Sequence, residues 1–138
     1  MEDTSQHFVG KVAQKAFIAK DGKVLLSRSP TDKVWDIPGG RIHREEQPAI
    51  GLAREIREEL GVEAIIQAPF FAEMTKAENT GEERYFIGFR AELKNPEQPF
   101  VFQKEEVAEI CWIAENEVES KPLFEVCRRG LQAYFAQR

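Results

Sequence analysis

GRIHREEQPAIGLAREIREELGV, residues 40–62, is the stretch that decides the fold. Its second half predicts a helix over residues 48–60, because a proline suits the first turn of a helix and a glycine follows at the end. Leu52, Ile56 and Leu60 recur along this helix at the spacing of one face, which is therefore expected to pack on a core. The other faces carry mostly charged side chains, so the helix is expected to border the solvent.

Three glutamates share another face of this predicted helix. Glu55, Glu58 and Glu59 stand at i, i+3 and i+4, and they fall within an arc of about 100°. Like charges at these spacings destabilise an exposed helix by roughly a few tenths of a kcal/mol per pair. A divalent cation that prefers oxygen ligands, such as Mg²⁺, would reverse the sign of that effect. Taken alone, the triplet is also typical of a solvated acidic face.

The same stretch resembles the Nudix box, in which glycine, glutamate, arginine and hydrophobic residues stand at fixed spacings. Every fixed position is filled, and a Pro-Gly-Gly lead-in precedes the box, so the match is far more specific than a short glycine motif. The resemblance implies a hydrolase of a nucleoside diphosphate linked to another group X, with Mg²⁺ or Mn²⁺ as cofactor. The matching residues are Gly40, Glu46, Arg54, Glu55, Ile56, Glu58, Glu59, Gly61 and Val62.

The resemblance also implies how the metal site is built. Glu55, Glu58 and Glu59 match the family's metal ligands and are the predicted catalytic carboxylates of the box. Gly39 matches a position whose backbone carbonyl completes the coordination of the metal in this family. The solvated acidic face becomes the weaker interpretation inside a complete box.

Two further box residues match supporting positions. Arg54 resembles the family's arginine that braces a glutamate by a charge-assisted hydrogen bond, and Glu46 resembles a partner that fixes the loop beside the ligands. His43 occupies a variable box position, and the sequence assigns it no role.

The general base is left open by the sequence. In the family it is either a box glutamate or a glutamate from a later loop, and Glu105, Glu106 and Glu109 are the clustered downstream candidates. Glu109 directly precedes the predicted strand 110–113, as a functional glutamate does in many relatives, and is the predicted catalytic residue of this group. For each of the three, an ordinary exposed charge is an equally good interpretation.

The predicted substrate contacts lie outside the box. Arg28 ends a strand before a loop and could reach a phosphate. Arg84 and Tyr85 begin a later strand and are predicted to line the pocket, where an aromatic ring can stack on a base. Further pocket candidates are Lys33, Trp35 and Phe86, of which the two aromatic residues are more typical of a core.

Markers that separate Nudix subfamilies are mostly absent outside the box. By elimination, the chain looks most similar to short MutT-like nucleoside triphosphate pyrophosphatases. Hydrolysis of a dinucleoside polyphosphate, ADP-ribose or a nucleotide sugar remains an alternative. A nucleotide-binding module without turnover is an alternative of another class, although such modules usually lose box glutamates and none is lost here.

Hydrophobic periodicity predicts strands at residues 12–19, 24–28, 62–74, 84–93, 100–102 and 110–113, with strand 84–93 half-buried. A tight turn is predicted at 21–22, a bend at Pro69, and a last helix capped by Ser120 with Pro122 at its start. Together these elements indicate an α/β fold in a single domain over residues 1–138. The Nudix resemblance sharpens this to an α/β/α sandwich with a mixed β-sheet, in which the box forms a loop–helix–loop.

The charge and composition of the chain limit the classes of partner that it is expected to bind. The net charge is −5 and no basic run occurs, which argues against a nucleic-acid or anionic-membrane partner and leaves a small nucleotide substrate. No stretch has the pattern of a signal peptide or a membrane span, so we expect a cytoplasmic protein, compatible with a homodimer. Cys111 and Cys127 are expected to be reduced thiols, buried or half-buried, and no zinc site is indicated.

Overall fold

The computed structural model describes residues 6–77 and 80–137. Within these ranges the chain forms a mixed sheet with two α-helices and one short 3₁₀-helix at Glu115–Glu117. The strands and helices are β1 (Lys11–Lys20), β2 (Lys23–Arg28), β3 (Gly39–Arg41), α1 (Pro48–Leu60), β4 (Ala64–Lys76), β5 (Glu83–Leu93), β6 (Glu109–Ile113) and α2 (Glu125–Gln137).

The sheet has the order β4-β5-β1-β2-β6, with β3 added beside β1. β1 and β5 run parallel, and the other pairs are antiparallel. β1 and β2 pair only next to their hairpin turn, at Ala19 with Val24 and Lys20 with Lys23. Beyond that point they diverge, and the segment that leads into β3 enters the gap between them. The sheet therefore splits where the box begins.

Each helix covers one face of the sheet, which confirms the predicted α/β/α sandwich. β1 alternates between the faces: Phe17 points to the α2 side, and Ala16 and Ile18 point to the α1 side. The α1-side core consists of Ala16, Ile18, Leu25, Leu52, Ile56, Leu60, Val62, Phe89, Ala91, Leu93 and Val107. The α2-side core consists of Phe17, Val24, Leu26, Trp35, Ile37, Phe86, Ile113, Val118, Leu123, Cys127, Leu131 and Phe135.

Helix α1 has the predicted bounds and the predicted buried face. Leu52, Ile56 and Leu60 are fully buried, and each contributes roughly 1.5–3 kcal/mol by leaving water. Gly61 ends the helix in a left-handed conformation, with φ of 68°, and its N–H donates to the carbonyl of Arg57. The box helix is thus anchored by its apolar face while its carboxylates stay at the split of the sheet.

The predicted strand at residues 100–102 is wrong. This segment runs without strand pairing past the end of α1, where Val101 N–H donates to the carbonyl of Leu60 and Gln103 N–H donates to that of Glu59. The last carbonyls of a helix have no partner within the helix, and here a neighbouring segment satisfies them. Phe100 and Phe102 pack on the α1-side core, which explains an apolar alternation without a strand.

The predicted start of the last helix is also wrong. α2 begins at Glu125, and Ser120 does not cap it, since its hydroxyl donates to the carbonyl of Glu117. Trp35 N–H donates to the carbonyl of Pro122, and Phe124 N–H donates to the carbonyl of Trp35. These tertiary hydrogen bonds hold the segment extended, so the helix starts only after it.

Strand β5 is covered on both faces, whereas the sequence predicted a half-buried strand. Phe86 lies in the α2-side core, and Phe89 and Ala91 lie in the α1-side core. The prediction failed because alternation was taken as a sign of a solvent face, but in a sandwich each face meets its own helix layer. The predicted bend at Pro69 is confirmed by register shifts on both sides of it.

The described residues agree with the expectation for the two cysteines. Cys111 is half-buried and Cys127 is buried, and both are free thiols. No helix within the described ranges is long and apolar enough to cross a membrane.

Candidate active site

A cleft of about 110 Å³ opens at the split of the sheet, beside the last turn of α1. Strand β1, the end of β2, the lead-in to β3, helix α1 and the loop before β6 all contribute to its wall. The residues that line it are Lys15, Ser27, Ser29, Asp32, Asp36, Ile37, Pro38, Gly39, Glu59, Glu106 and Val107.

Two glycines let the backbone pass tightly between β1 and α1. Gly39 has φ of 149°, and a Cβ there would lie 2.2 Å from the carbonyl oxygen of Gln14. A Cβ on Gly40 would lie 3.0 Å from the carboxylate of Glu55. Only glycine fits the first position, and the second leaves room for the glutamate. The Gly-Gly pair therefore brings the backbone up against the box carboxylates.

On the outer side of α1, Arg54 donates hydrogen bonds to the predicted supporting glutamate and to two of the predicted metal-binding glutamates. Its Nε donates to Glu46 Oε2 at 2.8 Å, and its Nη2 donates to Glu46 Oε1 at 3.0 Å. Nη1 donates to Glu58 Oε2 at 2.9 Å, and Nη2 donates to Glu55 Oε1 at 3.3 Å. The hydrogen bonds from Arg54 hold the pKa of Glu46 below its usual value. One guanidinium thus neutralises much of the charge of three carboxylates.

His43 also reaches this cluster, although the sequence assigned it no role. Its Nδ1 lies 3.1 Å from Arg54 Nη2, and the side chain is 60% exposed. It therefore caps the cluster from the solvent side.

The side chain of Glu59 faces the cleft, whereas those of Glu55 and Glu58 face Arg54. The pKa of Glu59 is raised to about 8, chiefly by burial and to a smaller extent by the carboxylates of Glu55, Glu106 and Asp36, while the ammonium of Lys15 acts to lower it. Neighbouring residues on one helix therefore have opposite electrostatic surroundings. The cleft holds more negative charge than its own cation balances.

The residues at this site fit a hard divalent cation in their chemistry. Carboxylate and backbone carbonyl oxygens are the donors that Mg²⁺ takes, and a cation would offset both the burial and the neighbouring carboxylates that raise the pKa of Glu59. Among the described residues, no three acidic, histidine or cysteine side chains already stand in a metal-binding arrangement. The contacts of Glu55 and Glu58 with Arg54 account for this, since both side chains turn toward the guanidinium.

The three downstream glutamates are separated by the fold. Glu106 lines the cleft with Glu59, and Glu105 does not. Glu109 lies opposite Arg28 in the β2–β6 register, and Arg28 Nε donates to Glu109 Oε1 at 3.0 Å. Arg28 Nη1 also donates to the carbonyl of Asp32 at 2.9 Å. The predicted catalytic Glu109 and the predicted phosphate-binding Arg28 are therefore paired with each other.

The other predicted substrate contacts lie away from the box. Arg84 Nη2 donates to Glu82 at 2.8 Å, and Tyr85 packs edge-on against Phe8 with ring centroids 4.8 Å apart. Arg84 pairs in register with Lys11, which is about 13 Å along β1 from Lys15 at the usual rise of a strand. The structure does not bring these residues to the carboxylates.

The remaining pocket candidates divide between surface and core. Lys33 is exposed. Trp35 and Phe86 are buried in the α2-side core, at 9% and 3% exposure, as the sequence favoured.

Sequence reasoning missed a partly buried ion pair in the cleft. Lys15 Nζ donates to Asp36 Oδ2 at 3.3 Å, and the Lys15 side chain is only 14% exposed. Burial acts to lower the pKa of Lys15, but Asp36, Cys127 and Glu59 outweigh it, and the pKa lies above its usual value. The available signal was a lysine in the middle of the mostly apolar strand β1, together with an aspartate two residues before the Pro-Gly-Gly lead-in.

Comparison with known proteins agrees with this geometry. The profile of the NUDIX domain family matches residues 12–134. The CTP pyrophosphohydrolase of Escherichia coli (strain K12) is 40% identical over 55 residues, covering 37% of this chain and 41% of that protein. The MutT-like protein of Streptomyces ambofaciens is 38% identical over 45 residues, covering 33% of this chain and 29% of that protein. The matched part spans less than half of either relative.

The fold is shared with solved structures. The solution structure of the E. coli ORF135 protein superposes with a TM-score of 0.76 at 23% identity, covering 91% of this chain and 89% of that one. At that identity the likeness concerns the fold alone. Because the family profile runs from the first strand to the last helix and the fold agrees, the chain belongs to the Nudix family.

Proposed function

We propose that this protein is a metal-dependent pyrophosphohydrolase that cleaves a phosphoanhydride bond in a nucleoside diphosphate linked to X. The preferred substrate is a nucleoside triphosphate, as in MutT-like enzymes. The observation that carries the proposal is Glu59, a carboxylate with a raised pKa that shares a cleft with Gly39 and further carboxylates. Carboxylates held at such an unfavourable charge density are typical of functional sites.

Glu55, Glu58 and Glu59, with the carbonyl of Gly39, are the residues that would hold Mg²⁺ or Mn²⁺. When bound, the cation polarises the phosphoryl oxygens and stabilises the charge of the leaving group. To bind the cation Glu58 would have to leave Arg54, which could still hold Glu46 and Glu55 through its other nitrogens. This explains why the arginine contacts so many carboxylates at once.

Glu106 is the proposed general base among the downstream glutamates. It lines the cleft beside Glu59, and its carboxylate is not among the groups that Arg28 binds. In the reaction a water oxygen forms a bond to phosphorus, the bridging P–O bond breaks, and the proton of the water goes to the carboxylate. For a nucleoside triphosphate the products are the monophosphate and pyrophosphate, and Glu109 takes no part in this step.

The first test is a substrate panel with Mg²⁺ and with Mn²⁺, with products resolved by chromatography. The panel contains ordinary and oxidised nucleoside triphosphates, ADP-ribose, dinucleoside polyphosphates and nucleotide sugars. We expect release of pyrophosphate from at least one triphosphate, and none in the presence of a chelator. If the protein prefers another substrate class of the panel, the proposed reaction stands and only the identity of the group X changes. Tight nucleotide binding without metal-dependent turnover would replace the enzyme with a binding module.

A further inference from the structure

Lys15 is the cation of the cleft. The other ionisable residues that line it are Asp32, Asp36, Glu59 and Glu106, all of them acidic. A polyphosphate entering this cleft meets carboxylates on most sides, and its own charge has the same sign as theirs. An ammonium within the wall therefore has an electrostatic effect on the substrate that no other lining residue supplies.

Asp36 holds this ammonium in a fixed place. Its Oδ1 accepts hydrogen bonds from the N–H of Ile37 at 2.7 Å and from the thiol of Cys127 at 3.2 Å. Its Oδ2 accepts from Lys15 Nζ at 3.3 Å. The carboxylate is thus oriented from one side and presents its remaining oxygen to the lysine. A lysine ammonium has three N–H donors, and the pair with Asp36 uses one of them.

The position of Lys15 matches where phosphates would lie. In the β1–β3 register Lys15 stands opposite Gly39, and Glu59 lines the same cleft. These two residues belong to the proposed metal site, so the phosphoryl oxygens of a bound nucleotide come next to them. Lys15 therefore lines the same cleft as these two residues.

Arg28 is less available for this role. Its Nε and Nη2 both donate to Glu109 Oε1, and its Nη1 donates to backbone carbonyls of the following loop. A phosphate would have to displace a charge-assisted pair to reach it. Lys15 needs no such exchange, because its single long hydrogen bond leaves donors unused.

We propose that Lys15 binds the substrate directly, with its Nζ donating to a phosphoryl oxygen of the nucleotide while Asp36 positions it. This inference rests on the proposed function for the identity of the ligand as a nucleotide. It makes Lys15 a substrate-binding residue and Asp36 a positioning residue.

The test compares Lys15→Met, Lys15→Arg and the double variant Lys15→Met/Asp36→Asn. The double variant removes both charges, so it avoids leaving the half-buried carboxylate of Asp36 without its partner, which could destabilise the protein. Lys11→Met is the matched control, since Lys11 lies on the same strand and pairs with Glu82 at 3.0 Å away from the cleft. Thermal unfolding of each variant checks that the fold is kept.

Two readouts are used. Calorimetry measures binding of α,β-methylene analogues of the common ribonucleoside triphosphates in Mg²⁺, and steady-state kinetics measures KM and kcat on the substrate that the wild type hydrolyses. We expect the double variant to weaken analogue binding by roughly 10-fold or more, the effect of one charge-assisted hydrogen bond. KM should rise by a similar factor, with Lys15→Arg less affected and Lys11→Met unchanged.

The outcomes separate this inference from the proposed function. A folded double variant with wild-type affinity and wild-type KM overturns the role of Lys15, even if the protein is an active hydrolase. A wild type that binds no analogue overturns it as well. A wild type that binds analogues through Lys15 but hydrolyses no nucleotide supports Lys15 and overturns the hydrolase.

Discussion

Glutamates on helix α1 meet two opposite environments within one turn. On the outer side, Arg54 pairs with Glu46 and Glu58 and lowers the pKa of Glu46. On the cleft side, Glu59 is half-buried near other carboxylates, and its pKa rises to about 8. Glu46 lies just before the helix and Glu59 in its last turn, but the residue type is the same, so the surroundings set the sign of the pKa shift. The ion pairs on the outer side hold their carboxylates in place, whereas the carboxylate of Glu59 has no such partner in Arg54 and remains available to the cation that we propose.

The largest effect is expected from removing the charge on the cleft side. Glu59→Gln keeps the shape of the side chain but loses a proposed metal ligand, so kcat should fall by more than the roughly 10- to 100-fold typical of outer partners of a metal site. Glu63→Gln, at an exposed position just after α1, is the control and should keep full activity. Wild-type turnover in both Glu58→Gln and Glu59→Gln would contradict the metal site.

The second prediction tests which of the downstream glutamates acts as the general base. Glu106→Gln should lower kcat by about 100-fold, the lower range for a general base, because it removes the proton acceptor beside Glu59. Glu105→Gln changes a neighbouring glutamate that does not line the cleft and should leave kcat unchanged. Steady-state kinetics with saturating metal measures both. Equal losses in the two variants would point to a general charge effect of the loop.

A smaller loss is expected on the neutralised side. Arg54→Met frees Glu46, Glu55 and Glu58 from their common partner, so activity should drop by roughly 10- to 100-fold through misplaced carboxylates. Arg57→Met is the matched control on the same helix. Its pair with Glu63 is about half exposed and should matter by less than about 1 kcal/mol. Metal titrations followed by activity should show weaker metal binding in Arg54→Met only.

The last prediction concerns stability and not activity: a pH dependence of unfolding without metal. The folded state raises the pKa of Glu59 from 4.5 to about 8, so over that window the folded protein keeps a proton that the unfolded chain releases. Stability therefore falls as pH rises, by at most about 1.4 kcal/mol per pH unit from this group.

Thermal unfolding in a chelator, compared with Glu59→Gln, isolates this contribution. The variant should be the more stable protein at the upper end of the window. Saturating Mg²⁺ should restore the stability of the wild type relative to Glu59→Gln at the upper end of that pH window. A wild type and variant with the same pH profile in chelator would show that Glu59 is not buried among uncompensated carboxylates.

The errors of the sequence interpretation share a cause. The segment at residues 100–102 has the alternation of a strand, and the segment before α2 has the capping residues of a helix. Both instead use their backbone groups in tertiary hydrogen bonds, the first with the end of α1 and the second with Trp35. Local pattern predicts what a segment can form, but the partner of its backbone groups lies elsewhere in the chain.

The sequence by itself determined the box helix, its buried face and the set of carboxylates that the helix presents. All of these depend on spacings of three or four residues, which local helix geometry fixes. Tertiary structure decided which glutamate stands beside Glu59, and it paired Arg28 with Glu109 across 81 residues. It also buried Lys15 against Asp36 where β1 and β2 part. These contacts depend on strand register and on the split of the sheet, and no local spacing encodes either one.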